Sequence, residues 1–408
     1  MARFLHIGDI HLRSTSERNV FTLRALDHVL ETALRMDAEQ RFSAIFIPGD
    51  LYDARSTVED RNALAPRIRA LANIAPVFIV YGNHDAPGDL EILTKLKAAY
   101  PIAVADRPCV LDARASTGEM LAIACLPYPT RAGLVAAGVA KGDVSQEAAG
   151  LLDLVMLQLA EELEALKGRG YIPAFIGHAN VSGSRTSSGQ PNTGHEVELN
   201  VRHLDRLGNI YKGLNHIHVP QTIAGAHYAG SICRLNYGEV EAKRVLDITV
   251  DDASVTGRVA SVPVPVAPMF HCEGTLSRAG FEYAVTDGRG AEIERPASWR
   301  GAHVRVKYRF HKSERSVLAD AVVLAEFAEA EHLKVEPIAV IDRDVRAPEV
   351  VNAITLADKL AAALKAPTLA AGLLEKLTRL ERGDGPALLS DIHNALNPPA
   401  PALQEATI

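Results

Sequence analysis

Short apolar runs at residues 3–7, 43–47, 76–80, 120–125 and 173–176 alternate with longer amphipathic stretches, and this alternation limits the fold more than any other feature. Runs of four to six residues without a polar face suit strands covered on both sides. Between the first two, Leu23, Leu26, Leu30 and Leu34 recur at three or four residues, which predicts a helix laid on the sheet. A second long helix is expected after Ser145 as N-cap, with Leu151, Leu152, Val155, Leu159 and Leu163 on one face. Strands interleaved with helices predict an α/β layered core.

From residue 228 to 261 the strands become closely spaced, as in the second sheet of a sandwich. Pro263, Pro265 and Pro268 follow, and because proline cannot donate to a ladder the last strand is expected to end near Ser261. Residues 303–310 alternate like a strand, 313–332 read as helix and 335–341 as strand, which predicts one βαβ unit. Beyond Arg346, leucines at 356, 360 and 364, at 369, 373, 377 and 380, and at 388 and 396 mark short amphipathic helices. Pro367 and residues 383–386 break that stretch, and the tail after Asn397 is expected to fray. The expected architecture is a two-sheet β-sandwich flanked by helices over residues 1–265, a small βαβ domain over 266–346 and a helical segment over 347–408. Those helices serve equally well as a cap on the chain itself or as a docking module for a partner.

With 408 residues, 48% of them hydrophobic, the chain can bury a large core. Its net charge of −7 argues against a protein that coats nucleic acid through global positive charge, so any DNA contact must be local or shared. Cys109, Cys125, Cys233 and Cys272 are scattered without a CxxC pair, which argues against a zinc knuckle or a disulfide framework. No stretch approaches eighteen apolar residues and the N-terminus turns polar too early for a signal peptide, so a cytoplasmic protein without membrane contact is expected.

Five polar clusters sit at or near the ends of predicted strands, where open α/β sheets place their sites. They are Asp9-Ile10-His11, Gly49-Asp50-Leu51-Tyr52-Asp53, Gly82-Asn83-His84-Asp85, Gly177-His178 and His216-Ile217-His218. In the first and last, residues two apart share one side of an extended segment and can share a cation. In the second, glycine lets the backbone turn close to the site. Each cluster alone has an ordinary reading as a loop cap or a structural histidine. Together, Asp9, His11, Asp50, Asn83, His178, His216 and His218 form a mixed oxygen and imidazole set suited to manganese, iron or zinc, and to two ions roughly 3.5–4 Å apart if an aspartate bridges them.

These five motifs in this order resemble the calcineurin-like metallophosphoesterase superfamily. Within it, Gly49 to Asp53, His216-Ile217-His218-Val219-Pro220-Gln221 and Tyr228-Ala229-Gly230-Ser231 resemble the SbcD-type DNA double-strand-break repair nucleases. The resemblance implies two divalent ions, manganese by preference: Asp9, His11, Asp50 and His218 would hold the first, and Asp50, Asn83, His178 and His216 the second. It implies that His84 protonates or stabilises the leaving group, with Asp85 holding its ring. It also implies exonuclease and single-strand endonuclease action on DNA, a homodimer and an SMC-like ATPase partner of the SbcC type, with residues 266–346 as the capping, DNA-binding part. Two positions depart from the pattern: Asn215 stands where the family has glycine, and Asp53 stands where archaeal and eukaryotic relatives commonly carry histidine.

Two other readings stay open on these residues, namely a metallophosphodiesterase of a small nucleotide and an inert scaffold for the ATPase. Ser182 and Arg185, in a polar segment running to Gly189, are candidates for DNA-backbone contact against an ordinary solvated loop. His195, His203 and His227 read as surface or structural residues, and Trp299 as core.

Overall fold

The computed structural model describes residues 1–130, 144–186, 197–251, 256–287, 289–311, 320–340, 350, 353–365 and 367–396. Its backbone divides into two units, Met1–Arg309 with Leu318–Ile338, and Phe310–Val317 with Ala339–Ile408.

The first unit begins with β1 (Ala2–His6), α1 (Asn19–Glu39), β2 (Ala44–Ile47), α2 (Val58–Leu71), β3 (Val77–Val80), β4 (Ile102–Ala105), β5 (Cys109–Arg114) and β6 (Met120–Leu126). It continues through α3 (Val144–Lys167), β7 (Ile172–His178), α4 (Val201–Arg206), β8 (Tyr211–Asn215), β9 (Gln221–Ile223), β10 (Ala226–Tyr228), β11 (Lys243–Val250) and β12 (Thr256–Val264). One six-stranded sheet has the order β12-β11-β1-β2-β3-β4, and a second has β5-β6-β7-β8-β10-β9. β1 to β4 run parallel, as do β6, β7, β8 and β10.

Alternation along the strands sorts the core into three layers. Phe4, Phe46 and Phe78 belong to one apolar cluster with Ile123, Ile176 and Tyr211 of the second sheet. Leu5, Ile45 and Ile47 face the other way and pack with Leu26 and Val29 of α1 and Leu64 and Ile68 of α2. On the outer side of the second sheet, Phe175 and Leu214 share a cluster with Leu152, Met156, Leu159 and Leu163 of α3. Each such side chain contributes roughly 1.5–3 kcal/mol by leaving water. The predicted two-sheet sandwich flanked by helices is therefore the observed core.

Four local expectations are corrected. β11 and β12 extend the first sheet beside β1, antiparallel, rather than belonging to the second. β12 does not stop at Ser261 but runs to Val264, with Pro263 opposite Arg244, because β12 is an edge strand whose outer side needs no N–H donor. α3 begins at Val144, so Ser145 lies inside its first turn. Of the four predicted leucines of α1, Leu34 is 51% exposed.

The remaining sheet has the order β14-β13-β15-β16, with β13 (Met269–Ser277), β14 (Gly280–Thr286), β15 (His303–His311) and β16 (His332–Val340). The predicted βαβ unit is present as β15, α5 (Ala321–Glu326) and β16, but a β13–β14 hairpin precedes it and the strand after the helix starts at His332. Residues 313–319, part of the predicted helix, lie outside the described residues. Trp299 is core, as expected: it is 5% exposed and packs against Phe270 and Phe327.

The second unit contains α6 (Leu356–Leu364), α7 (Pro367–Glu381) and α8 (Gly385–Leu396), broken where Pro367 and residues 383–386 predict. Leu356, Leu369, Leu380 and Leu389 are more than half exposed. The tail after residue 396 lies outside the described residues. Among the described residues no helix is long and apolar enough to cross a membrane.

Candidate metal centre

The five motifs lie at or just past the C-terminal ends of β1, β2, β3, β7 and β8, with Gly177-His178 the last two residues of β7. The chain must turn sharply there, and several turns use left-handed backbone: Gly49 at φ 94°, Asp50 at 54°, His11 at 52° and His216 at 95°. Such angles cost energy in residues with a Cβ, and that strain gathers at sites held by their surroundings. Space is equally tight. A Cβ on Gly49 would lie 2.5 Å from His178 Nδ1, and one on Gly82 would lie 2.0 Å from Asp50 Oδ1. These two glycines let the loops after β2 and β3 close on the ligands.

All seven predicted ligands converge. His11 Nε2 lies 3.1 Å from His218 Nε2 and 3.4 Å from Asp50 Oδ2. The same Asp50 oxygen lies 3.3 Å from His178 Nε2. Asn83 Oδ1 stands 3.0 Å from both His178 Nε2 and His216 Nδ1. Asp9 Oδ1 is 3.9 Å from His178 Nδ1 and accepts the His216 backbone N–H at 2.9 Å. Asp50 thus sits between two groups of donors, as a bridging carboxylate must.

The donor set fits divalent cations. Asp9 and Asp50 are buried, and Asp9 Oδ2 has no hydrogen-bond partner although it is shielded from water, a costly state that a cation would relieve. His178 Nδ1–H donates to the Pro48 carbonyl at 2.8 Å, and His218 Nδ1–H donates to Glu239 Oε1 at 3.0 Å, so each ring turns its Nε2 inward. Asp9, His11 and His218, and separately Asp9, Asp50 and His178, each offer ligand atoms mutually within 4.8 Å. Burial alone would raise the Asp50 carboxyl, yet His178, His11 and the His84 N–H hold it well below the usual range. Burial disfavours a charged His178, but Asp50 and Asp9 push it up to about 9.

Around the ligands the predicted roles are partly redrawn. His84 is exposed, its ring centroid 4.8 Å from that of His11, and its Nδ1–H donates to the Asp53 carbonyl at 2.9 Å. The ring partner expected in Asp85 is therefore the Asp53 backbone. Asp85 points back into the protein, accepting the N–H groups of Asp50 at 2.8 Å, Tyr52 at 3.0 Å and Gly82 at 3.0 Å. Burial and the adjacent Asp50 charge push Asp85 up to about 7. It ties the loop carrying Asp50 to the loop carrying Asn83. Asp53 stands beside His11 Nδ1 at 3.3 Å and near Arg18 at 3.5 Å. Asn215 is structural as well. Its side-chain oxygen meets His6 Nε2 at 3.0 Å and its amide donates to the Ile7 carbonyl at 3.3 Å, while the left-handed angle falls on His216 instead.

Ser182 Oγ donates to Glu198 Oε2 at 2.8 Å, and the Arg185 backbone exchanges hydrogen bonds with the Gln221 side chain. His195, with residues 187–196, lies outside the described residues. His203 is structural, buried in the capping box of α4, and His227 meets Thr222 Oγ1 at 3.1 Å. Two features escaped sequence reasoning. Tyr128 packs its ring 5.2 Å from His216 and 6.0 Å from His178, and Glu239 backs His218 from 21 residues away, with no motif to announce it.

Residues 2–129, which carry Asp9, His11, Asp50, Asn83 and His84, match the calcineurin-like phosphoesterase family. Residues 2–129 therefore carry calcineurin-like phosphoesterase sequence. It is similar to the SbcD component of the SbcCD nuclease of Bacillus subtilis (strain 168), at 27% identity over 271 residues, 62% of this chain and 66% of that protein. It is also similar to the DNA double-strand break repair protein Mre11 of Aeropyrum pernix, at 32% identity over 107 residues, 24% of this chain and 25% of that protein. The matched length is thus just under two thirds of the first relative and a quarter of the second. Among solved structures, the 5'-nucleotidase precursor from Thermus thermophilus superposes with a TM-score of 0.36 at 13% identity, covering 64% of this chain and 54% of that one.

Proposed function

We propose that the chain is a manganese-dependent DNA phosphodiesterase, working as exonuclease and single-strand endonuclease in DNA end processing together with an SMC-like ATPase of the SbcC type. The observation that carries this reading is Asp50 Oδ2, 3.4 Å from His11 Nε2 and 3.3 Å from His178 Nε2, between two sets of donors. Asp9, His11, Asp50 and His218 would hold one ion, and Asp50, Asn83, His178 and His216 the other. When bound, two such ions neutralise a phosphodiester and lower the pKa of a water toward about 7.

The chain's own residues supply the rest. His84, exposed at the rim with its Nδ1–H on the Asp53 carbonyl, would as an imidazolium give its Nε2 proton to the departing oxygen. Asp85 acts through the loops it ties, not through the His84 ring. Residues 1–265 would form the nuclease domain, 266–346 a capping domain and 347–408 the ATPase-docking segment, whose exposed leucines suit a partner surface. Exposed Leu154 and Leu157 on α3 support a homodimer through helices of the nuclease domain. Ser182 and Arg185 would contact the DNA backbone. A nuclease of this kind works in the cytoplasm.

The reading is tested by incubating the purified chain with end-labelled DNA and with a chromogenic diester, with and without manganese. Manganese-dependent DNA products are expected. Cleavage of the diester alone would favour a small nucleotide substrate, and no cleavage of either would contradict the assignment.

A further inference from the structure

Against Nδ1 of His218 lies a buried charge pair. Glu239 Oε2 and Lys243 Nζ are 2.5 Å apart, and neither side chain is exposed at all. Lys243 Nζ also donates to Ser231 Oγ at 2.7 Å and reaches the His218 carbonyl at 3.4 Å. Glu239 Oε1 accepts from Asn236 Nδ2 and from His218 Nδ1, both at 3.0 Å, and Oε2 accepts the Leu235 N–H at 3.2 Å. Two charges taken fully out of water are expensive, and a well-packed apolar pair of similar volume is commonly as stable. A pair kept under that cost calls for a use, and its geometry supplies one.

A carboxylate oxygen only accepts, so the proton on His218 Nδ1 is committed to Glu239 and Nε2 is left with its lone pair. That nitrogen faces His11 Nε2 at 3.1 Å. We propose that Glu239 is a positioning residue for the metal centre: it fixes the His218 ring in the Nδ1–H tautomer with Nε2 turned to the ion shared with Asp9 and His11, and Lys243 and Ser231 hold Glu239 in place. The proposal rests on the metal reading above and deepens it. It also gives a role to the Tyr228-Ala229-Gly230-Ser231 motif. Gly230, at φ 79°, passes so close to His218 that a Cβ would lie 2.6 Å from the His218 carbonyl oxygen, and this passage delivers Ser231 to the pair.

Two measurements decide it. In the first, the wild-type chain labelled with 15N-histidine is loaded with zinc and the His218 tautomer is read from its long-range nitrogen–proton couplings. A proton on Nδ1 is expected, and a proton on Nε2 would overturn the proposal by itself. Failure of the wild-type chain to take up zinc would instead remove the underlying metal reading, and the proposal with it. In the second, manganese affinities are measured by calorimetry for two paired variants that both discharge the buried site. Glu239→Leu with Lys243→Met removes the acceptor, and one of the two manganese affinities should fall about 10–100-fold while the other holds. Glu239→Gln with Lys243→Met keeps an acceptor oxygen for His218 and should restore most of that loss. Wild-type affinities in both variants, or equal losses in both while they remain folded, would overturn the positioning role. If neither variant folds, the wild-type tautomer decides alone.

Discussion

Gly8 and Gly230 meet backbone to backbone: a Cβ on Gly8 would lie 1.6 Å from the Gly230 carbonyl oxygen. This contact joins the segment leading to Asp9 and His11 with the segment passing behind His218, and Ile232 N–H then donates to the Asp9 carbonyl at 3.0 Å. Backbone cannot yield as a side-chain end can, so Gly8→Ala should cost about 3 kcal/mol or more, at the upper end of ordinary overpacking. Urea unfolding checks the loss, and an unchanged midpoint would show that the two segments are not pinned together.

His84 and the ligands should separate cleanly. His84→Ala should retain two manganese ions while turnover falls about 10²–10⁴-fold, the usual contribution of a proton-transfer group. Metal content by elemental analysis, read beside the rate, distinguishes this from a ligand; loss of an ion would place His84 among the ligands instead.

Asp85→Ala should behave differently from His84→Ala. Removing the carboxylate strands the buried N–H groups of Asp50, Tyr52 and Gly82, at a cost of about 3 kcal/mol or more. Both stability and manganese uptake should therefore fall, as followed by thermal unfolding and calorimetry. A variant as stable as wild type that lost only its rate would restore the ring-holding role.

Acid stability has its own source. His303 packs against the Phe21 ring at 3.8 Å between centroids and, through burial first and His332 second, is held down to about 4 from 6.5. Buried His6 is likewise lowered to about 4 by burial. The unfolded chain binds these protons near pH 6.5 and the folded chain only near 4, so stability is present above pH 6.5 and is lost as pH falls through that window. The loss assigned to His303 is on the order of 2 kcal/mol. His303→Gln should flatten the pH dependence of urea unfolding between pH 6.5 and 4 by that share, leaving the part due to His6. An unchanged slope would remove His303 as its source.

The convergence of these side chains was readable because Asp9, Asp50, Asn83, His178 and His216 each follow an apolar run within a few residues, at the C-terminal ends of parallel strands. Asp85 was misread for a local reason. Its neighbour in sequence is His84, but the turn after β3 sends successive side chains opposite ways, so Asp85 faces backbone. Glu239 lay out of reach because its partnership with His218 spans two three-residue strands and the turns around them, too short to show a periodicity. In the fold, α2 was not anticipated because Pro66 interrupts its interior, and β12 was cut short because an edge position excuses Pro263, which only the strand order reveals. The β13–β14 hairpin was missed because Glu273 and Glu282 stand exposed along it and break up its apolar runs.

Manganese titration of the purified chain, followed by electron paramagnetic resonance, reads the number and spacing of the bound ions. Two ions per chain with an exchange-coupled spectrum, as for ions about 3.5–4 Å apart, are predicted, with both ions lost or uncoupled in Asp50→Ala. A single isolated ion, or no uptake by a folded chain, would contradict the dinuclear centre.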